Sequence, residues 1–240
     1  MLTGLAHLHF LCQTFILGGM KLHNYFRSSA SFRVRIALAL KGLPYQYIAV
    51  NLAQGEHLQD TFRAQSPEVL VPMLEIDGHR LSQSMAIIEY LDETRPEPPL
   101  LPEDPLGRAQ VRALAQSIAC EIHPLNNLRV LKYLSRQLKV DEDTKNTWYR
   151  HWVRGGLEAF ERQLVAQDVL RSAAGLPPSV YCWGISPTMA DCLLVPQIFN
   201  AQRFSVDLDG LSRTMAAFQA CMQLPAFQEA QPSSCPDFVA

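Results

Sequence analysis

The residues Arg27-Ser28-Ser29-Ala30-Ser31 stand where a short β-like run, Lys21 to Phe26, gives way to a helical repeat of Phe32, Val34, Ile36, Ala37, Leu38 and Leu40. A helix N-terminus presents unpaired N–H groups and a partial positive charge, so an anion is stabilised there and a nearby hydroxyl can hydrogen-bond to it. The same serines read equally well as a plain helix cap. Val71-Pro72 directly precedes a second β-like run, Met73 to Ile76. Proline cannot donate to a sheet ladder, so this position suggests an edge, and a cis bond would turn the preceding backbone outward. Taken alone, a trans strand-entry proline is the simpler reading. Gln83-Ser84 opens the next helix, where a hydroxyl and the first amides can bind a carboxylate or merely cap the helix.

These three places need elements to hold them. Gly42 after Lys41 is a natural stop for the first helix, and Tyr45 to Val50 is rich in strand formers. Met73 to Ile76, then Asp77-Gly78, then Arg80-Leu81 reads as a tight hairpin. Met85, Ile87, Ile88, Tyr90 and Leu91 follow Ser84 at helical spacing. The order is β-α-β, a loop or short helix, then β-β-α, which is thioredoxin-like. Pro96, Pro98, Pro99, Pro102 and Pro105 then mark a linker. Beyond it, Val111, Leu114, Ile118 and Ile122 recur at spacings of three and four, and Trp148, Trp152 and Leu157 repeat less regularly. Thr188-Met189-Ala190-Asp191 is an acidic form of the capping box, with the Thr hydroxyl accepting from an early helix N–H and the Asp reaching back. Asp141-Glu142-Asp143 reads as a solvated loop or a helix start.

The fold class is therefore α/β plus all-α: a thioredoxin-like domain at 20–96, a Pro-rich linker at 97–105 and a helical-bundle domain at 106–240. Residues 1–19 read as an extension outside the fold, since they lack the basic start and cleavage site of a signal peptide and are too short to span a bilayer. Apolar residues make up 48% and charged residues 18% of the 240, a globular balance. A net charge of −2 with interspersed signs offers no footprint for nucleic acid or an anionic membrane. The six cysteines are scattered, without a C-x-x-C pair or a His/Cys cluster at zinc spacing, which favours buried thiols in a reducing cytoplasm and no metal site.

The run from Ser28 to Leu38 resembles the serine-rich signature of zeta-class glutathione transferases, the maleylacetoacetate isomerase family. The likeness continues through Val71-Pro72, Gln83 to Leu91, Ile122-His123-Pro124-Leu125-Asn126-Asn127 and Asn200-Ala201-Gln202-Arg203-Phe204. It implies glutathione as cofactor, with Ser28 assisting thiolate formation and Ser29 beside it. It makes Val71, exposed by cis-Pro72, the backbone partner of the cysteinyl unit, and Gln83 and Ser84 the anchors of the γ-glutamyl carboxylate. His57 resembles the glycine-end contact, and His123 and Asn127 lie where the helical domain approaches the thiol; relatives often carry Gln at the two histidine positions. Ala30 departs from the family, which usually has cysteine there. That cysteine is not the thiol-activating group, so isomerisation is expected to survive without it.

The activity so implied is glutathione-dependent cis-trans isomerisation of maleylacetoacetate, a step of aromatic amino-acid catabolism, in a cytoplasmic homodimer. A dicarboxylate-like substrate calls for cations, and Arg27, Arg129 and Arg203 are the candidates; each alone is as readily a solvated or salt-bridged arginine. Maleylpyruvate isomerisation, general glutathione transfer or dehalogenation are near alternatives. A non-catalytic glutathione transferase-like interaction module is one of another class.

Overall fold

The computed structural model describes residues 19–239, so the extension read at the start of the chain lies, up to residue 18, outside the described residues. Strand β1 (Lys21–Asn24) runs parallel to β2 (Gln46–Ala49) and antiparallel to β3 (Met73–Ile76), which pairs antiparallel with β4 (His79–Ser82). The sheet order is β2-β1-β3-β4. The hairpin turns on Asp77 (φ 51°) and Gly78 (φ 78°), both left-handed, as a two-residue turn between twisted strands requires. Between β2 and β3 lie a 3₁₀ turn (Glu56–Leu58) and the short helix α2 (Asp60–Arg63).

Helix α1 (Ser29–Leu40) is buried without a break from Ser31 to Leu38. Its repeat suggested one apolar face, yet it has no solvent face, because α3 (Ser84–Thr94), α8 (Met189–Arg203) and α10 (Pro225–Ala230) all pack on it. Val34, Ile36, Leu38, Leu74, Ile87, Leu193 and Leu194 belong to one core that runs from the sheet into the helices. A smaller satellite cluster gathers Tyr25, Phe26, Val50, Phe62, Val71 and Cys235.

The helical half begins one residue earlier than its composition suggested. Asp104 caps α4 (Pro105–Gln116) by accepting from Gly107 N–H at 2.7 Å, and Pro105 is the first helical residue, where its missing N–H costs nothing. The repeat of Val111, Leu114, Ile118 and Ile122 spans two geometries: α4 passes into a π-helical stretch (Ser117–Ile122) before α5 (His123–Asn126). Then follow α6 (Leu128–Arg136), α7 (Glu142–Ala173), α8 and α9 (Ser212–Met222). Asp141 caps α7, so the acidic run is a helix start. Thr188 and Asp191 form the expected capping box, Asp191 accepting from Thr188 N–H at 2.8 Å, and the Thr188 hydroxyl also donates to that carboxylate (3.0 Å).

Lys41, its side chain fully buried, donates to Asp92 (2.9 Å) and to the carbonyls of Arg95 (2.8 Å) and Pro98 (2.9 Å), while Asp92 also accepts from Leu100 N–H (2.7 Å). One ammonium thus ties the end of α1 to α3 and to the connection between the two halves. Removing one partner of a buried ion pair strands the other charge. Lys41→Met is expected to cost about 3–5 kcal/mol in urea unfolding. A loss under about 1 kcal/mol would show that the connection holds without it.

Candidate functional site

Ser28 is the N-cap of α1, its hydroxyl oxygen accepting from Ser31 N–H at 3.2 Å. The capping role and a chemical role are compatible, because a hydroxyl that accepts one bond still has its own hydrogen to donate. Ser29 is the first residue of the helix and is buried. Its Oγ lies 3.3 Å from Nδ1 of His123, across the seam between the sheet-bearing half and the helices.

The polarity of that contact can be worked out from its other end. Asn127 caps α6 with Oδ1, which accepts from Arg129 N–H at 3.0 Å, so its amide nitrogen is the atom facing His123 Nε2 at 3.4 Å. An amide NH₂ only donates, so Nε2 accepts. Burial, then the nearby charges of Arg33 and Arg129, push the His123 pKa from 6.5 down to about 3, leaving a neutral ring with one proton. That proton sits on Nδ1 and is donated to Ser29, whose hydroxyl hydrogen is left free to point into the cleft. A π-helical stretch, Ser117–Ile122, ends just before His123, and such stretches are frequent at functional sites.

Ser84 is not a cap. Gln83 occupies the cap position of α3 without a side-chain capping bond, and Ser84 is the first helical residue, its Oγ accepting from Arg33 Nη1 at 3.2 Å. Arg33 is 3% exposed and, among the described residues, faces no carboxylate within 4.0 Å; its Nε is buried without a partner. Burial lowers its pKa from 12.5 to about 10, so it stays charged at neutral pH. The sequence reading missed it, although an arginine inside the run Phe32-Arg33-Val34-Arg35-Ile36 was a signal that the helix has no wet side. Glu68 was missed without any signal: it accepts from Gln83 Nε2 at 2.8 Å. Backbone strain flanks this contact, with Val69 at φ 58° and Gln83 at φ 67°.

Val71-Pro72 is cis and lies just before the β3 ladder, whose pairing with β1 begins at Met73. Arg27 lies close enough to Arg203 for its charge to act there: burial first, and then Arg27, lower the Arg203 pKa. Arg129 lies near enough to His123 for its charge to act on that ring. None of the three has a carboxylate partner among the described residues. His57 stands apart: no hydrogen bond joins it to the other site residues, its Nδ1 is buried without a partner, and burial with the charge of Lys132 lowers its pKa. The arrangement gathers two hydroxyls at a helix N-terminus, a buried cation behind a third hydroxyl, and free guanidinium groups around them. Such a site suits an anionic ligand carrying a group to be held as an anion at the serines. Among the described residues no cluster of three or more His, Cys, Asp or Glu could hold a metal.

Residues 22–99 match the glutathione S-transferase N-terminal domain family. The chain is 47% identical over 218 residues to a maleylpyruvate isomerase of a Ralstonia species, covering 91% of this chain and 99% of that protein. It is 45% identical over 221 residues to the maleylacetoacetate isomerase of Pseudomonas aeruginosa, covering 91% and 98%. Among solved structures, a holo maleylpyruvate isomerase described as a bacterial zeta-class glutathione S-transferase superposes with a TM-score of 0.85 at 46% identity, covering 91% of this chain and 100% of the other.

His123 makes the fold acid-sensitive. Between pH 6.5 and about 3 the unfolded chain binds a proton that the folded ring refuses, so stability falls as pH falls through that window and is unaffected above it. In His123→Gln, urea midpoints at pH 7 and pH 4.5 are expected to differ less than in the parent chain. An equal fall in both proteins would mean that the ring is not held neutral.

Proposed function

Because the chain belongs to the zeta class of the glutathione transferase family, we propose that it is a glutathione-dependent cis-trans isomerase acting on maleylacetoacetate. The observation that carries the reading is the pairing of Ser28 and Ser29 at the α1 N-terminus with the buried, acid-free Arg33 behind Ser84. In this reading residues 20–96 hold the tripeptide and the helical half, 106–239, completes the cleft.

The residues fit the cofactor. Arg33 and Ser84 would hold the γ-glutamyl carboxylate, an anion that supplies the counter-charge the protein itself withholds. Glu68, held beside Gln83, would receive the ammonium of the same unit. Val71 would pair with the cysteinyl backbone and His57 would meet the glycine end. The hydroxyls of Ser28 and Ser29 would donate to the sulfur, Ser29 with its direction fixed by His123 and, through it, Asn127. When bound, glutathione would supply a thiolate able to add reversibly to the activated cis double bond and, after rotation about the resulting single bond, to leave again as the same thiolate with the trans isomer. A thiol with a pKa near 8.5 is only a few per cent ionised at pH 7, and lowering it by about two units takes roughly 2.7 kcal/mol. A hydrogen bond to a charged group is worth about 1.5–3 kcal/mol, so two serine donors and the helix field cover that need. Arg27, Arg129 and Arg203 would hold the carboxylates of the substrate and so orient its double bond against the sulfur.

A second reading, maleylpyruvate as the acid, is favoured by the 47% identity to an enzyme of that name. The scattered thiols, with Cys182, Cys192 and Cys221 buried, support a cytoplasmic protein, and family kinship supports a two-fold homodimer. Isomerisation of maleylacetoacetate and of maleylpyruvate should be followed side by side, with and without glutathione. Glutathione-dependent turnover of the first, at least as efficient as of the second, is the expected result; no turnover of either would leave the chain a binding module.

Ser28→Ala is expected to raise the pKa of bound glutathione and to lower kcat at neutral pH about tenfold or more, with binding changed far less. Ser84→Ala is expected to do the opposite, weakening binding about tenfold with the thiolate pKa kept. Ultraviolet titration of the thiolate and calorimetry separate the two; identical behaviour in both variants would overturn the division.

A further inference from the structure

The turn that delivers Arg27 and Ser28 is short, and one local backbone bond closes it. Ser28 N–H bonds to Tyr25 C=O at 2.9 Å, closing the turn, while Phe26 within it has both backbone groups pointing away from the turn. One partner of Phe26 comes from α1 and the other from the far end of the chain. Its N–H donates to Asp237 Oδ2 at 3.2 Å, and its C=O accepts from Arg35 Nη2 at 3.3 Å. Arg35 is in turn fixed by Ala230 C=O (2.9 Å) and Asn24 Oδ1 (3.1 Å).

The segment that carries Asp237 is itself well anchored. The Tyr47 hydroxyl donates to Asp237 Oδ1, so the carboxylate bridges β2 and the turn. Phe238 meets the Phe26 ring edge-on, with centroids 5.6 Å apart. Cys235 is buried in the satellite cluster with Tyr25, Phe26 and Val71, and so lies behind two of the cofactor-facing segments at once. The Arg27 guanidinium covers the Phe26 ring at 5.1 Å. The peptide before Phe26 lies between Arg27, Ser28 and the strand, and it is held from both sides: its C=O by Ser28 N–H and its N–H by the carboxylate of Asp237.

We propose that Asp237, supported by Phe238, is a positioning residue for catalysis: by holding Phe26 N–H it places the Ser28 hydroxyl and the Arg27 guanidinium. The inference rests on the reading of Ser28 as the group that stabilises a bound thiolate. It separates two things that a docked chain end could do, since a segment that only stabilises the fold would alter melting and leave the ionisation of bound glutathione alone.

The experiment uses the full chain with Asp237→Ala, Asp237→Asn and Phe238→Ala. In the ligand-free protein, exchange of the Phe26 amide hydrogen should quicken at least tenfold in Asp237→Ala. With glutathione bound, the thiolate pKa read by ultraviolet titration should rise by about one unit and kcat at neutral pH should fall about tenfold, while the glutathione Kd moves less than threefold. Asp237→Asn should recover most of this, because the amide oxygen can still accept from Phe26 and the amide nitrogen can donate to the Tyr47 oxygen. Phe238 is 43% exposed, so its truncation leaves a folded protein; a shift of the same sign and smaller size is expected there, which keeps the question answerable should Asp237→Ala not fold. A lowered melting temperature with an unshifted thiolate pKa in Asp237→Ala and Phe238→Ala would overturn the proposal. If Ser28→Ala also leaves that pKa unshifted, the underlying reading of Ser28 fails instead.

Discussion

Helix α1 is buried on every side, and the molecule is built around the consequences. Sheet, α3, α8 and α10 enclose it, so neither Arg33 nor Arg35 can reach water. A buried guanidinium must be satisfied internally. Arg35 is satisfied by three neutral oxygens from two parts of the chain, Asn24 and Phe26 in one and Ala230 in the other, which makes it a clamp between the stretch before the helix and the helix that ends the core. Arg33 is not satisfied in full, and this difference separates the structural arginine from the one at the site.

Enclosing α1 also fixes where a site can be. A helix without a solvent face offers the outside only its ends. The C-terminal end is closed by Lys41 and its three oxygen partners, so the N-terminal end, with Ser28 and Ser29, is the one left at the seam between the two halves. The helical half reaches that seam through His123, and its chain path there is bent by the π-helical stretch and by Pro124. The same burial that packs the core therefore delivers two hydroxyls and a helix field to a cleft walled by both halves.

Much of this was legible in the residues, and what was not has identifiable causes. The hairpin was plain because Asp77-Gly78 permits only a few turn geometries, α3 because its apolar spacing is clear, and α1 because an apolar run lies between the Ser28 cap and Gly42. Pro105 was assigned to the linker because proline breaks helices in general and is tolerated at the first helical position in particular. The π-helical stretch was invisible, since one added residue barely disturbs a pattern of threes and fours. Ser28 and Ser29 were singled out correctly as neighbours at a helix start, yet their different partners, Ser31 N–H for one and His123 for the other, depend on a contact between residues 94 apart. Glu68 and Asp237 carried no signal at all: each is an ordinary exposed or half-buried acid whose partners, Gln83 for one and Phe26 and Tyr47 for the other, are distant in the chain.

The distribution of unmet needs then becomes an argument in its own right. Exposed acids are plentiful in the chain, and a single carboxylate beside Arg33 would lower the free energy of the buried cation. The structure instead gives it the hydroxyl of Ser84, and places Glu68 nearby but bound to Gln83, held by a loop whose Val69 adopts a conformation costly for a β-branched residue. Free arginines 27, 129 and 203 repeat the pattern around Ser28 and Ser29. Like charges left unneutralised repel one another and lower the stability of the folded chain. Stability alone would favour pairing them. In the proposed reading the relieving anions come from the ligands, one at Arg33 and Ser84 and others among Arg27, Arg129 and Arg203. A tripeptide with a carboxylate at its γ-glutamyl end and a substrate with acidic groups at both ends would together supply them.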